Sequence, residues 1–141
     1  MPSLPVLRQL FREVTSRKDS WRIPEPNLVM EDAEQVVSFH EAGRQDGVMA
    51  PLYLFHSVQV CEVIKPGETV VDLGCGPANQ LGLIAALNPD VKFIGIDLSD
   101  EMLGMAERNL KDKGVTNVTL KHGDITDLKM LGAASADAVM T

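Results

Sequence analysis

The chain has 141 residues, a formal net charge of −7, 45% hydrophobic residues and 23% charged ones. That length suits one domain burying about two-thirds of its unfolded surface. So acidic a balance disfavours nucleic acid or an anionic membrane as partner. No stretch approaches the roughly 20 apolar residues of a membrane span. Cys61 and Cys75 make neither a disulfide framework nor a metal set, so no metal and a reducing, cytoplasmic setting are expected.

Residues 1–18 carry Arg8, Arg12, Arg17 and Lys18 against Glu13 alone, +3 on a chain whose remainder is −10. Leu4, Leu7, Leu10, Phe11 and Val14 recur at helical spacing, which predicts an amphipathic helix near 4–17 packing on the domain. An organelle-targeting or membrane-surface helix is the alternative. Sparse serine speaks against a targeting peptide, and the segment has neither the cleavage site nor the apolar core of a secretory signal. The Pro-rich break at 23–26 precedes further helices near 28–42 and 50–64, joined by a flexible link containing Gly43 and Gly47. Leu52, Phe55, Val60, Val63 and Ile64 are the expected core stripe of the third helix. Residues 1–64 thus read as an N-terminal helical segment packed on the domain.

From residue 65 the chain changes character. Strands are predicted at 69–73, 91–96, 118–121 and 136–140, with helices at 78–87 and 99–113 between them. Ser99 is the expected N-cap of the latter, Asp100 and Glu101 suit its positive end, and Gly114 suits its C′ position. Apolar strands alternating with helices imply parallel pairing buried on both faces. The expected class is α/β, a Rossmann-like, doubly wound, mostly parallel sheet.

Three strand ends finish on an acid: Asp72, Asp97 and Asp124. Ligands of open parallel sheets bind outside the strands' carboxyl ends, so the three are expected to share one crevice. Between the first strand and its helix stand Gly74 and Gly76, where the backbone must bend and let a ligand close. Asp97 follows Gly76 by 21 residues, near the interval at which an acid grips ribose hydroxyls. A lone strand-end acid is often only a helix N-cap, and a lone Gly-x-Gly is weak; the combination is harder to dismiss. Asn79 stands where a dinucleotide fingerprint needs a third small residue, and Asp72 would repel a pyrophosphate. An acid suits a ligand carrying a sulfonium and an ammonium.

Residues 66–141 resemble the first half of the class I S-adenosylmethionine-dependent methyltransferase domain, nearest its small-molecule-acting branches. Val71 to Pro77 resembles the first motif, Gly95 to Leu103 the second, Gly123 to Leu128 the adenine-binding motif, and Ser135 to Met140 the approach to the fourth strand. The resemblance implies S-adenosyl-L-methionine as cofactor. Asp72, Gly74, Cys75 and Gly76 would face its methionine part, with backbone amides and carbonyls supplying most contacts. Asp97 would take the ribose hydroxyls, Leu98 and Met102 would pack on adenine, Asp124 would receive its exocyclic amine, and Ile125 would lie on the ring's other side. Residues 40–55 could close over the cofactor through Tyr53 or His40. No catalytic base is named among His40, His56 and His122.

The family's sheet has seven strands in the order 3-2-1-4-5-7-6, whereas this chain ends as its fourth finishes. A fragment, a truncated product, or a chain shielding its fourth-strand edge by self-association is therefore expected. The function implied is methyl transfer to an unidentified small-molecule acceptor, without nucleic acid or membrane as partner. A non-catalytic S-adenosylmethionine-binding or interaction module is the alternative, and a nicotinamide-dependent oxidoreductase a third reading, disfavoured by Asp72 and Asn79.

Overall fold

A computed structural model describes residues 29–141; the expected 4–17 helix lies outside them. Helix α1 spans Ala33–Ala42 rather than 28–42. Asp32 sets its start, because its carboxylate accepts the Glu34 and Gln35 N–H groups at 2.9 and 3.0 Å, satisfying donors that the first turn leaves without partners. Helix α2, Ala50–Val63, follows with Pro51 in its first turn, where a missing N–H costs nothing.

Four strands form one parallel sheet: β1 (Thr69–Leu73), β2 (Lys92–Asp97), β3 (Val118–His122) and β4 (Ala138–Met140), in the order β3-β2-β1-β4. Asp72 is registered against Gly95 and Met140, and Asp97 against His122. Helix α3 (Asn79–Leu87) connects β1 to β2, and α4 (Asp100–Asp112) connects β2 to β3. Ser99 caps α4 by accepting the Met102 N–H at 3.1 Å, and Gly114 takes φ +66° beyond its end.

Both helices lie on one face of the sheet. There Leu81, Ile84 and Ala85 of α3 and Leu103, Ala106 and Leu110 of α4 meet Val70 and Phe93. This follows from parallel crossovers of one hand. Two-sided burial holds for Val70, Val71, Phe93 and Ile96. It does not extend to the flanking strands, where Thr119 is exposed and Val139 is 61% exposed.

The expected core stripe of α2 is corrected. Leu52, Phe55 and Val63 are 48%, 59% and 68% exposed. The helix instead turns Ser57 inward, with Tyr53, Val60 and Cys61 partly buried and Ile64 buried beyond its end. Serine fits there because its Oγ donates to the Tyr53 carbonyl at 2.6 Å, so no polar group is stranded. The larger residues ride on the remaining faces of a helix that is apolar nearly all round. No helix among the described residues is long and apolar enough to cross a membrane.

Candidate cofactor site

The strand-to-helix turn after β1 spends its own donors. The N–H groups of Gly74 and Cys75 both donate to the Ile96 carbonyl, at 2.8 and 3.0 Å. Gly76 N–H donates to Asp97 Oδ2 at 2.8 Å, residue 77 is proline, and Ala78 N–H returns to the Cys75 carbonyl at 3.0 Å. A turn that cradles phosphate presents unpaired N–H groups to the anion. This one has none free from 74 to 78, so it is built for something other than a pyrophosphate. It equally leaves few amides for the ligand contacts that the resemblance assigns to them.

Gly74 and Gly76 adopt φ of +79° and +51°, the left-handed region where a side chain is penalised. A methyl group on Gly74 would meet no atom within 4 Å, so open space lies beside it. One on Gly76 would come 3.6 Å from Phe39 Cε1 and 4.0 Å from Met102 Sδ. Phe39 was not singled out by its sequence; a lone aromatic near a helix end gives no signal. Ala78 also lies in the left-handed region, at φ +53°, where alanine pays about 1–2 kcal/mol that a glycine would not.

The acids gather as expected in part. Asp72 is buried, and no hydrogen bond from the described residues reaches its carboxyl group. Burial first, and then the neighbouring Asp97, push its pKa up to about 7. It faces a cavity of about 340 Å3 between α2 and β4, shared with His56, Gln80 and Met140. Asp97 is better satisfied, since its second oxygen accepts the Ser99 N–H at 2.9 Å. Two acids meet here, and the described residues bring no cation to them: the shortfall is positive charge.

The remaining residues lie around this pair. Met102 is buried above Gly76, and Leu98 is half-buried with its carbonyl accepting from His122 Nε2 at 3.0 Å. Gly123 N–H donates to the Asp97 carbonyl at 3.0 Å, which sets Asp124 and Ile125 just past the end of β2. Both are exposed, and Asp124 Oδ1 accepts from Thr126 N–H and Oγ1 at 2.8 and 2.6 Å. Those bonds hold its pKa below the usual value. Cys75 is placed differently from the rest. Its Sγ turns into the core, 3.0 Å from where a Gly95 methyl would stand, and burial pushes its thiol pKa up.

The 40–55 region packs against the turn's far side. Asn79 Nδ2 donates to the His40 carbonyl at 2.9 Å, and a methyl on Gly43 would meet both Asn79 and Tyr53. Asn79 Oδ1 accepts from Asn109 Nδ2 at 3.0 Å, which also donates to the Pro77 carbonyl at 2.9 Å. Ser99 Oγ donates to the Met30 carbonyl at 2.6 Å. The segment from Met30 to Gly43 is thereby fastened at Ser99 and at Asn79, with Phe39 over Gly76 between them. No group of three or more possible metal ligands occurs among the described residues.

A family model described as a methyltransferase domain matches residues 64–141. A 37.1 kDa protein of transposon Tn4556 from Streptomyces fradiae is 43% identical over 67 residues, 47% of this chain and 19% of that protein. The ribosomal RNA small subunit methyltransferase G of Chlorobaculum tepidum is 32% identical, over 55% of this chain and 36% of its own length. The demethylmenaquinone methyltransferase of Geobacillus stearothermophilus is 35% identical, over 46% and 28%. The chain therefore spans well under half the length of these curated relatives. A solved structure of a putative S-adenosyl-L-methionine-dependent methyltransferase from Methanococcus maripaludis superposes with TM-score 0.69 at 19% identity, covering 84% of this chain and 52% of that one. At that identity it is the fold that is shared.

Proposed function

The chain belongs to the class I S-adenosylmethionine-dependent methyltransferase family, and from that premise we propose that it binds S-adenosyl-L-methionine and belongs to an enzyme that methylates a small molecule. The observation that carries the reading is Asp72, buried and undonated beside Asp97 at the mouth of an open glycine turn. Two carboxyl groups without a cation, beside a turn whose N–H groups are spent, favour a ligand with cationic groups, such as a sulfonium and an ammonium, and disfavour a phosphate.

Bound there, the cofactor supplies a methyl group already activated on a sulfonium. Asp72 offers its carboxylate to the cationic end, and its ionisation is favoured by that contact. Asp97, held by the Gly76 and Ser99 N–H groups, keeps lone pairs for the ribose hydroxyls. Leu98, Met102, Asp124 and Ile125 form the adenine end of the same crevice in this reading. Phe39 and Met102 over Gly76 exclude water, and alignment with water exclusion is most of what the transfer requires. The cavity between α2 and β4 extends from Asp72 toward Val139 and is the proposed approach of the acceptor.

A small-molecule acceptor is supported by the net charge of −7, since a nucleic-acid substrate is held by phosphate contacts to cations. A cytoplasmic setting belongs to the same proposal. Calorimetric titration with S-adenosyl-L-methionine and with NAD tests the cofactor: saturable heat with the first and none with the second is expected. Transfer of labelled methyl to a metabolite extract, absent with Asp72→Asn, separates an enzyme from a module that only binds. Binding of NAD alone would overturn the reading.

A further inference from the structure

We propose that the groove walled by α2, α3 and the end of α4, on the far side of Asn79 from the glycine turn, is a second ligand site. Its occupant would be a small amphipathic acid, an apolar chain ending in a carboxylate. The groove encloses about 460 Å3, within the range of ligand pockets. Its walls are Ala50, Pro51, Leu54 and Leu83, with Arg44 and Lys113 among the lining residues. Two cations opening on an apolar cavity are what an apolar chain with one negative end complements.

The charges around the groove favour an anion between these two. Lys113 Nζ bonds Asn109 Oδ1, and among the described residues it makes no ion pair. Burial and then Arg44 push its pKa down, while Asp112 opposes them. Arg44 pairs with Glu41 at 3.5 Å and Asp46 at 3.2 Å. Those partners are 57% and 78% exposed in their side chains, so water screens both pairs and each contributes little. Exchanging them for a carboxylate sheltered by the cavity is therefore inexpensive. The negative end of the α4 dipole opposes an anion, and the Lys113 charge stands directly against it.

The site stands apart from the cofactor reading, because it uses neither Asp72 nor Asp97. Decanoate added to the 141-residue chain is the probe, followed by calorimetry and by amide NMR shifts. Saturable binding at a single site with a dissociation constant below about 1 mM is expected, with shifts centred on 43–45, 54, 83 and 113. Decanol, with the same chain and no charge, is expected to bind about tenfold more weakly, and decyltrimethylammonium not measurably. Lys113→Met should lower decanoate affinity about tenfold and leave decanol unchanged. Should that variant misfold, the exposed Arg44→Gln serves with the same expectation. Leu54→Asp, on an exposed wall, should abolish both ligands. Equal affinity for decanoate and decanol, shifts centred elsewhere, binding only to anionic phospholipid vesicles, or no saturable binding would each overturn the proposal.

Discussion

Gly76 donates its backbone N–H to the Asp97 carboxylate at 2.8 Å, joining the turn after β1 to the end of β2 across 21 residues of sequence. One bond thus fixes the bend of the turn and the orientation of the acid assigned to the ribose. Asp97 also accepts from Ser99, the N-cap of α4.

Removing that carboxylate should therefore have two consequences. Asp97→Ala is expected to weaken S-adenosyl-L-methionine binding by roughly 10–100-fold, from the loss of one or two charged hydrogen bonds. It should also lower stability by about 1–3 kcal/mol, because two partly buried N–H groups lose their acceptor. Calorimetry and denaturant melts measure the two separately. Unchanged affinity with reduced stability would make Asp97 purely structural.

Asp72 sets a pH dependence. Its carboxyl is raised from 3.8 to about 7 in the fold, so from about pH 4 to 7 the folded chain holds a proton that the unfolded chain has released. Its contribution to stability is fully present below about pH 4, falls as pH rises, and levels above 7, a loss on the order of 4 kcal/mol. Asp72→Asn should remove that slope. A cationic cofactor prefers the ionised form, so affinity should rise several-fold from about pH 6 to 8 and proton release should accompany binding at pH 6. Matched calorimetry in buffers of different ionisation enthalpy counts the protons. Tyr53 and Asp97 face the same group, and Tyr53 is itself pushed up by burial and then by Asp72, which keeps its phenol neutral throughout this range.

Two glycines should fail for opposite reasons. Gly74→Ala places its methyl in open space at φ +79°, so it should cost only about 1–2 kcal/mol of backbone strain yet block the cofactor. Gly95→Ala would press its methyl to 2.8 Å from Leu81 and 3.0 Å from Cys75 and Leu120. Overpacking of that kind costs about 1–3 kcal/mol, with cofactor affinity changed little in the molecules that fold. Denaturant midpoints beside titration curves distinguish them.

Asn79 and Asn109 form a buried bridge at 3.0 Å between the start of α3 and the last turn of α4. Asn79→Ala takes one of two acceptors from Asn109 Nδ2, which keeps the Pro77 carbonyl, and one of two donors from the His40 carbonyl, which keeps the Gly43 N–H, and should cost about 1–2 kcal/mol. A double-mutant cycle with Asn109→Ala should return a coupling of about 1 kcal/mol or more. Additive losses would mean that the bridge contributes nothing.

Much of the α/β half was legible because its signals are local. Runs such as Val70-Val71 and Phe93-Ile94 read as strands, and Ser99, Asp100 and Gly114 mark the bounds of α4 within a residue. The N-terminal helices were read less well. The start of α1 depends on Asp32 as a cap, and the pattern of α2 holds apolar residues on every face, so periodicity alone chose Leu52, Phe55 and Val63 where packing chose Ser57. Asn79 shows the same limit. Its sequence position argued only against a dinucleotide, while its role as a junction for His40 and Asn109 is set by residues 30 to 40 positions away.

By itself the amino-acid order determined the alternation of strands and helices, the glycine bend, and three acids at strand ends, since each depends on neighbours a few bonds away. Only the tertiary structure decided that Cys75 faces inward, that Phe39 covers Gly76, and that the amides of the bend are spent on Ile96 and Asp97. Those outcomes depend on which distant groups compete for the same donor or the same volume, and that competition exists only once the sheet has assembled.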